Sequence, residues 1–505
     1  MSARTSFVLA IDQGTSATKC VLIDGNGAIV ARTSAPLGET HPRPGWVEQD
    51  AEAIWNSVLA AARECLGGVD PAAVAGIGLS TQRESVVLWD RASGEPLAPL
   101  VSWQDQRTAA YCDALRTPQV ELLVRERSGL PLDPMFSAAK MAWLLDACDP
   151  QRARARGGAL CLGTVDSWLL FRLTGAHVIE TGNASRTQVL DTGRARWDDD
   201  LLALFDIPRA ALPDIVPSIG PFPALRDAVP LPRGARVTSV MADSHAALFA
   251  HGAFAAGSLK VTYGTGSSVM GLLPAPKAVG PGLCLTVAWQ TDAIAYAAEG
   301  NIRATGAALR WLADLLGISP QELVDLGAAA NSDGVSFVPA FSGLGAPWWD
   351  LDAAGLISGL TQKAGRAELA RAALDAVVHQ ITDVVDAFGV EVGEPKELFA
   401  DGGPTRSDVL MQLQADVVGR PVLRAGDPEL SALGTGHLAG VGAGLWSWSE
   451  LSALPRRRDT FAPSGADESR RAARRVWQAA IERARFRPAA ARERAAAISQ
   501  PAVAR

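Results

Sequence analysis

Apolar and polar positions alternate in short blocks along the first part of the chain. The runs "FVLAID" (7–12), "KCVLID" (19–24), "VAGIGLS" (74–80) and "SVVLWD" (85–90) are brief and rich in β-branched residues. Turn residues bound them, and this pattern predicts strands. Between them, "DAEAIWNSVLAAARECL" (50–66) repeats its apolar residues at helical spacing. Strands alternating with helices predict an α/β fold.

The first two strands flank a polar turn that carries Asp12, Gly14, Thr15 and Ser16. Asp, Gly and hydroxyl residues suit any tight hairpin, so turn chemistry alone accounts for them. Near the middle, "GSLKVTYGTGSSVMGLL" (257–273) repeats the order strand, Gly/Thr/Ser turn, strand. The repetition predicts two related halves, each begun by such a hairpin. We place a first domain at 1–253, a second at 254–478 and an Arg/Ala-rich tail at 479–505. In the second half, "GVSFVPAFSGLGAPWWD" (334–350) reads as a packed loop, followed by a helix over 366–388. An exposed amphipathic helix is expected over 468–486, with the remainder frayed or disordered.

A chain of 505 residues needs more than one core. Its 48% hydrophobic and 20% charged residues supply them in a globular balance. The net charge of -7 argues against a general nucleic-acid binder, which needs a basic face to displace phosphate counterions. The 6 cysteines form no CxxC pair and read as reduced, mostly buried thiols. "MSARTSF" enters the first strand without an apolar signal core, and no apolar run reaches the ~18 residues that span a bilayer. A cytoplasmic protein without membrane insertion is expected.

The chain has no Walker A loop of the form GxxxxGK[ST], and no GxGxxG follows a strand and opens a helix. Two Gly/Thr hairpins facing across a cleft are another way to hold phosphate. Their amides and hydroxyls donate to phosphoryl oxygens, while a carboxylate at the turn holds a hydrated magnesium ion.

The segments "DQGTSATK", "GWVEQD", "STQRES", "SWQDQRT", "GTVDSWLLFRLTG", "NASRT", "YGTGSS", "FSGLGAPWWD" and "DGGPTRSDVLMQLQAD" occur in this order between Phe7 and Trp448. In these segments the chain resembles the FGGY carbohydrate kinases, and within them the glycerol kinases. Both signature regions of that family are visible. "MFSAAKMAWLLDA" (135–147) departs only at Ala147, where a polar residue is usual, and "GLISGLTQKAGRAELARAALD" (355–375) fits throughout.

The resemblance implies a two-lobed actin-like (ribonuclease H-like) ATPase fold with a central cleft. It also implies ATP and Mg2+ as cofactors, a small polyol or sugar as partner, and a homo-oligomer, dimer or tetramer. Asp12 would hold the metal through water, joined by Asp243. Thr15, Ser16 and Lys19 would lie near the transferred phosphoryl group; Lys19 stands where an Arg is usual, keeping charge but not fork geometry. Gly264, Thr265 and Gly266 would form the second phosphate loop. Gly402 and Gly403 would let the backbone approach the nucleotide, and the helix carrying Gly306 and Arg310 would wall the adenine.

Asp243, in "MADSHAAL", matches the general base, which takes the acceptor's proton as the phosphoryl group moves in line. An Asp ahead of a helix is commonly an N-cap, and its order relative to "YGTG" favours the catalytic role. Arg83 and Glu84 match a clamp on adjacent acceptor hydroxyls, although such neighbours are usually a solvated surface pair. Trp103 matches the aromatic wall of the acceptor site; a lone Trp is otherwise core. His245 and His251 have no ligand partner at metal spacing and read as structural.

Departures from the glycerol kinases gather at the acceptor. Met135 replaces a Tyr, Ser244 a Gln and Ser268 a Phe, which predicts a roomier, wetter pocket. Glycerol stays possible, with a four- or five-carbon polyol or ketose beside it. The segment "VPLPRGARVTS" (229–239) lacks the Gly/Lys-rich loop that binds a sugar bisphosphate regulator in some relatives, and has no phosphorylatable His. A rival class is an actin-fold ATPase switch with no small-molecule acceptor, which would have no need of Arg83, Glu84 and Trp103.

Overall fold

The computed structural model describes residues 6–220, 222–226, 231, 235–275 and 279–486. It divides into two compact units that interleave along the chain. The first comprises Met1–Lys260, Met270–Glu299 and Ala425–Arg458, and the second Val261–Val269, Gly300–Arg424 and Asp459–Arg505.

The first unit is built on a five-stranded sheet. Its strands are β1 (Phe7–Gln13), β2 (Ala17–Ile23), β3 (Ile29–Pro36), β4 (Val74–Thr81) and β5 (Val237–Ala242), in the order β5-β4-β1-β2-β3. β1 and β2 pair antiparallel with Asp12 opposite Lys19, so the expected hairpin is present. β4 runs parallel to β1 and to β5. Successive side chains of a strand point to opposite faces, and both faces of this sheet are covered. Leu9 and Ile11 pack with Ile54 and Val58 of the helix Ala51–Leu66. Val8 and Ala10 pack with Ala247 and Leu433, from the helices Asp243–Ala250 and Leu430–Gly442. The last helix joins this unit from far along the chain because its small residues allow close approach. A β-carbon at Gly434 would lie 1.8 Å from the Ala246 carbonyl oxygen, and one at Gly436 would lie 2.3 Å from Ile23 Cδ1.

A smaller four-stranded sheet of the same unit contains Val86–Asp90 and Leu160–Thr164 as an antiparallel pair. Its strands flank the loops that carry Arg83, Glu84 and Trp103.

In the second unit the helix Arg366–Val392 is the central element, burying Val377, Ile381, Val384 and Phe388. The helices Gly306–Leu316, Pro320–Ala328 and Asp408–Val418 pack on it. Strand Glu397–Gly402 pairs in parallel with Val422–Ala425. The expected amphipathic helix spans Asp467–Arg485, but one face docks: Trp477, Ala480, Ile481 and Ala484 are buried. Trp477 Nε1 donates to Asp383 Oδ2 at 2.8 Å. Residues 479–485 of the segment set apart as a tail therefore complete this helix, whereas 487–505 lie outside the described residues. Most of the 229–234 stretch lies outside them too. Among the described residues all 6 cysteines are free, and no helix is long and apolar enough to cross a membrane.

Candidate active site

The ends of β1, β4 and β5 place a set of polar side chains in the first unit. Asp12, next to last on β1, is half-buried and accepts from Ser80 Oγ at 3.0 Å. Its carboxyl is pushed up to about 7, first by burial and then by the nearby Asp243 carboxylate. Asp243 is also raised, again chiefly by burial, with Arg83 pulling the other way. Two hard oxygen donors that repel each other fit a divalent cation between or near them. Among the described residues no group of three or more His, Cys, Asp or Glu side chains converges on a metal position. The remaining ligands would thus be waters and substrate oxygens, as magnesium prefers.

β5 ends at Ala242, and Asp243 opens the following helix as its first residue. The N-cap position is taken by Ala242, and Asp243 Oδ1 accepts from the Ser244 amide at 2.6 Å. Arg83 Nε approaches Asp243 Oδ1 at 3.4 Å. Of the two side chains, Arg83 is 9% exposed and Asp243 36%, so the carboxylate of this pair is the group open to a reactant.

Sequence reasoning paired Arg83 with Glu84 and missed the groups that hold both. Arg83 donates through Nη1 to Glu299 Oε2 at 2.9 Å and through Nη2 to Glu299 Oε1 at 2.8 Å. Glu84 accepts from Arg186 Nε at 2.6 Å, and its own approach to Arg83 is 3.9 Å. Arg186 and Glu299 are fully buried and 2.8 Å apart. Burial alone would lower the Arg83 pKa, but Glu299, Glu84 and Asp243 more than offset it and the guanidinium stays charged. His245 lies among these cations; burial and Arg83 hold it well below its ordinary value, so it is neutral. That agrees with a structural histidine.

Trp103 Nε1 donates to Thr15 Oγ1 at 3.0 Å, which ties this indole to the β1–β2 hairpin. Gly14 closes that hairpin by donating to the Ala17 carbonyl at 3.1 Å, and Ser16 is exposed. Lys19 forms an ion pair with Glu429 at 2.9 Å. Met135 is half-buried. Ser244 Oγ accepts from the buried Lys260 ammonium at 2.6 Å, a partner that sequence reasoning also missed. A lysine set between Leu259 and Val261 in the strand "SLKVTY" was the available signal.

In the second unit, Gly264, Thr265 and Gly266 form a tight loop, with the Gly264 amide donating to the Gly266 carbonyl at 2.8 Å. The amides of Gly306 and Ala307 donate to the Gly264 and Thr265 carbonyls, each at 3.0 Å, so the loop sits on the start of the helix Gly306–Leu316. Arg310 Nη2 reaches Thr265 Oγ1 at 3.2 Å. Ser268, half-buried, follows on the outgoing strand. Gly402 has φ +100, and a β-carbon there would lie 2.0 Å from the Tyr263 carbonyl oxygen. Gly403 is exposed, with open space where a side chain would be.

The N-terminal domain model of the FGGY family of carbohydrate kinases matches residues 7–250, and the C-terminal one matches 259–443. The chain belongs to this family. It is 42% identical to an apulose kinase of Pectobacterium atrosepticum, over 96% of this chain and 100% of the relative. It is 43% identical to a glycerol kinase of Geobacter sp. strain M21, over 94% of this chain and 98% of that one. A crystal structure of Plasmodium falciparum glycerol kinase with ADP superposes with a TM-score of 0.89 at 28% identity, covering 96% and 99% of the two chains.

The fold is therefore the two-domain actin-like fold of the FGGY kinases, and the chain is an ATP-dependent phosphotransferase acting on a hydroxyl group of a carbohydrate or polyol. The resemblance seen in the motifs stands, and the rival reading as a switch without an acceptor falls away.

Proposed function

We propose that this FGGY kinase transfers the γ-phosphoryl group of ATP, with Mg2+, to a terminal hydroxyl of a three- to five-carbon polyol or ketose in the cytoplasm. The observation that carries the reading is the open Asp243 carboxylate beside the Arg83–Glu84 pair. Asp243 accepts the proton of the attacking hydroxyl as the phosphorus–oxygen bond forms. The N–H groups of Arg83 not given to Glu299, together with Glu84, bind neighbouring hydroxyls of the acceptor, and Trp103 walls its carbon chain. Asp12, with Asp243 beside it, would hold a hydrated magnesium ion, which offsets phosphate charge when bound. Amides and hydroxyls of the Thr15–Ser16 turn and of the Gly264–Gly266 loop donate to phosphate oxygens, and Gly402 and Gly403 admit the nucleotide to the backbone.

Room for more than three carbons is supported by Ser244, a short side chain whose hydroxyl is engaged by Lys260. The relatives' names differ, one being an apulose kinase and another a glycerol kinase, so both sugars and polyols enter the test. The test is ADP formation with and without glycerol, erythritol, ribitol, D-ribulose and D-xylulose. Turnover that needs an acceptor, matches phosphorylated product and stops on chelation of magnesium is expected. ADP release indifferent to every acceptor would overturn the proposal.

A further inference from the structure

Four buried charges close on themselves in the first unit. Arg83 meets Glu299 through two hydrogen bonds of 2.9 and 2.8 Å. Glu299 meets Arg186 at 2.8 Å, Arg186 meets Glu84 at 2.6 Å, and Glu84 faces Arg83 at 3.9 Å. The side chains are between 0 and 9% exposed. Two cations and two anions make the set neutral, which a buried cluster of charges requires. The members come from distant parts of the chain: Glu299 from the strand Ile294–Ile302, and Arg186 from just beyond the short helix Thr181–Ala184.

The bidentate pairing with Glu299 fixes the plane of the Arg83 guanidinium. Each terminal nitrogen keeps one further N–H, whose direction is set by that plane. Arg186 holds Glu84 through the one hydrogen bond from Nε to Oε1, and the Glu84 backbone has the left-handed φ of 61 and so is constrained. The Arg186 guanidinium is itself seated 5.1 Å over the Phe136 ring. We infer that Arg186 and Glu299 are positioning residues for the acceptor: they touch no substrate, and they aim the Arg83–Glu84 clamp at two hydroxyls. This rests on the acceptor reading proposed above.

A ring that only held the fold together would weaken turnover of every acceptor alike. A ring that aims the clamp matters only for acceptors bearing the clamped hydroxyls. The test uses full-length Arg186→Lys and Glu299→Gln, each keeping size and part of the hydrogen bonding, against the best acceptor of the polyol and ketose panel and against its analogues lacking one hydroxyl. On the full acceptor, kcat/KM is expected to fall ~10²-fold, mostly through KM, the usual consequence of a misplaced binding group. On the analogue without the clamped hydroxyl the loss should shrink to about 3-fold or less, and KM for ATP should stay put. Should a single variant fail to fold, the charge-balanced pair Arg186→Gln with Glu299→Gln takes its place in the same comparison. Equal losses on both acceptors, or no loss, overturn this inference alone. A wild-type enzyme that phosphorylates no polyol or ketose overturns the acceptor reading and this inference with it.

Discussion

The residues assigned to the acceptor and those assigned to the nucleotide are built from different materials. The acceptor set is made of side chains: Arg83, Glu84, Arg186 and Glu299 pair with one another, and Ser244 is tied to Lys260. The nucleotide set adds to the side chains of Thr15, Ser16, Lys19 and Arg310 a large share of backbone: Gly264, Gly266, Gly306 and Gly402 stand where a β-carbon would meet a carbonyl oxygen 2.0 to 3.1 Å away. A site shaped by main chain can stay the same while side chains elsewhere vary. Choice among acceptors then resides in side chains, each of which can be replaced without remaking a loop.

Asp243→Asn keeps the size of the side chain and removes its basicity. kcat should fall ~10²- to 10⁴-fold, while binding of ATP, followed by titration calorimetry, stays near wild type. Near-normal turnover would remove Asp243 from the reaction and leave the side-chain set without a base.

Asp12→Asn should raise the magnesium concentration needed for half-maximal rate ~10- to 100-fold, the range seen when a group supporting a metal is lost. Binding of adenosine alone should not change. A matching loss of adenosine affinity would mean that the β1–β2 hairpin serves both sets.

Met135→Tyr combined with Ser268→Phe restores the two bulkier side chains usual in glycerol kinases. It should move the kcat/KM ratio of glycerol over a five-carbon acceptor ~10- to 200-fold towards glycerol, since one or two methylene-sized units are worth ~1–3 kcal/mol. The double variant is the proper test, because two positions acting on one acceptor need not be additive. An unchanged ratio in a folded, active variant would take these two residues out of specificity.

Gly402→Ala forces a side chain into φ +100 against the Tyr263 carbonyl. Stability should drop by about 1–3 kcal/mol, read from denaturant unfolding, with affinity for ATP reduced and the order of preferred acceptors unchanged. A reordered acceptor preference would join the two sets.

Much of this was legible in the sequence wherever the cause is local. The Phe7–Ile23 hairpin follows from its turn residues, and the helix Arg366–Val392 follows from the spacing of its apolar positions. Asp243, Arg83 and Trp103 were singled out through motif order, and the structure adds what they touch. The residues that were missed act over long separations: Arg83 and Glu299 are 216 positions apart, and Arg186 and Glu84 are 102 apart. No local pattern announces such a pair, although Glu299 in "IAYAAEGNI" and Lys260 in "SLKVTY" are charges on buried strands and must have partners. The interleaved units were equally hidden. The helix Leu430–Gly442 packs on β1 some four hundred residues away because glycines at 434 and 436 let it come close.

The most direct measurement of the central claim, that side chains around Asp243 form an acceptor site wider than glycerol needs, is the wild-type ratio of kcat/KM for a five-carbon ketose to that for glycerol, at saturating ATP and magnesium. A ratio at or above one is expected for D-ribulose or D-xylulose. A ratio below about one-hundredth for every acceptor longer than three carbons would contradict the claim and make this FGGY kinase an enzyme for glycerol.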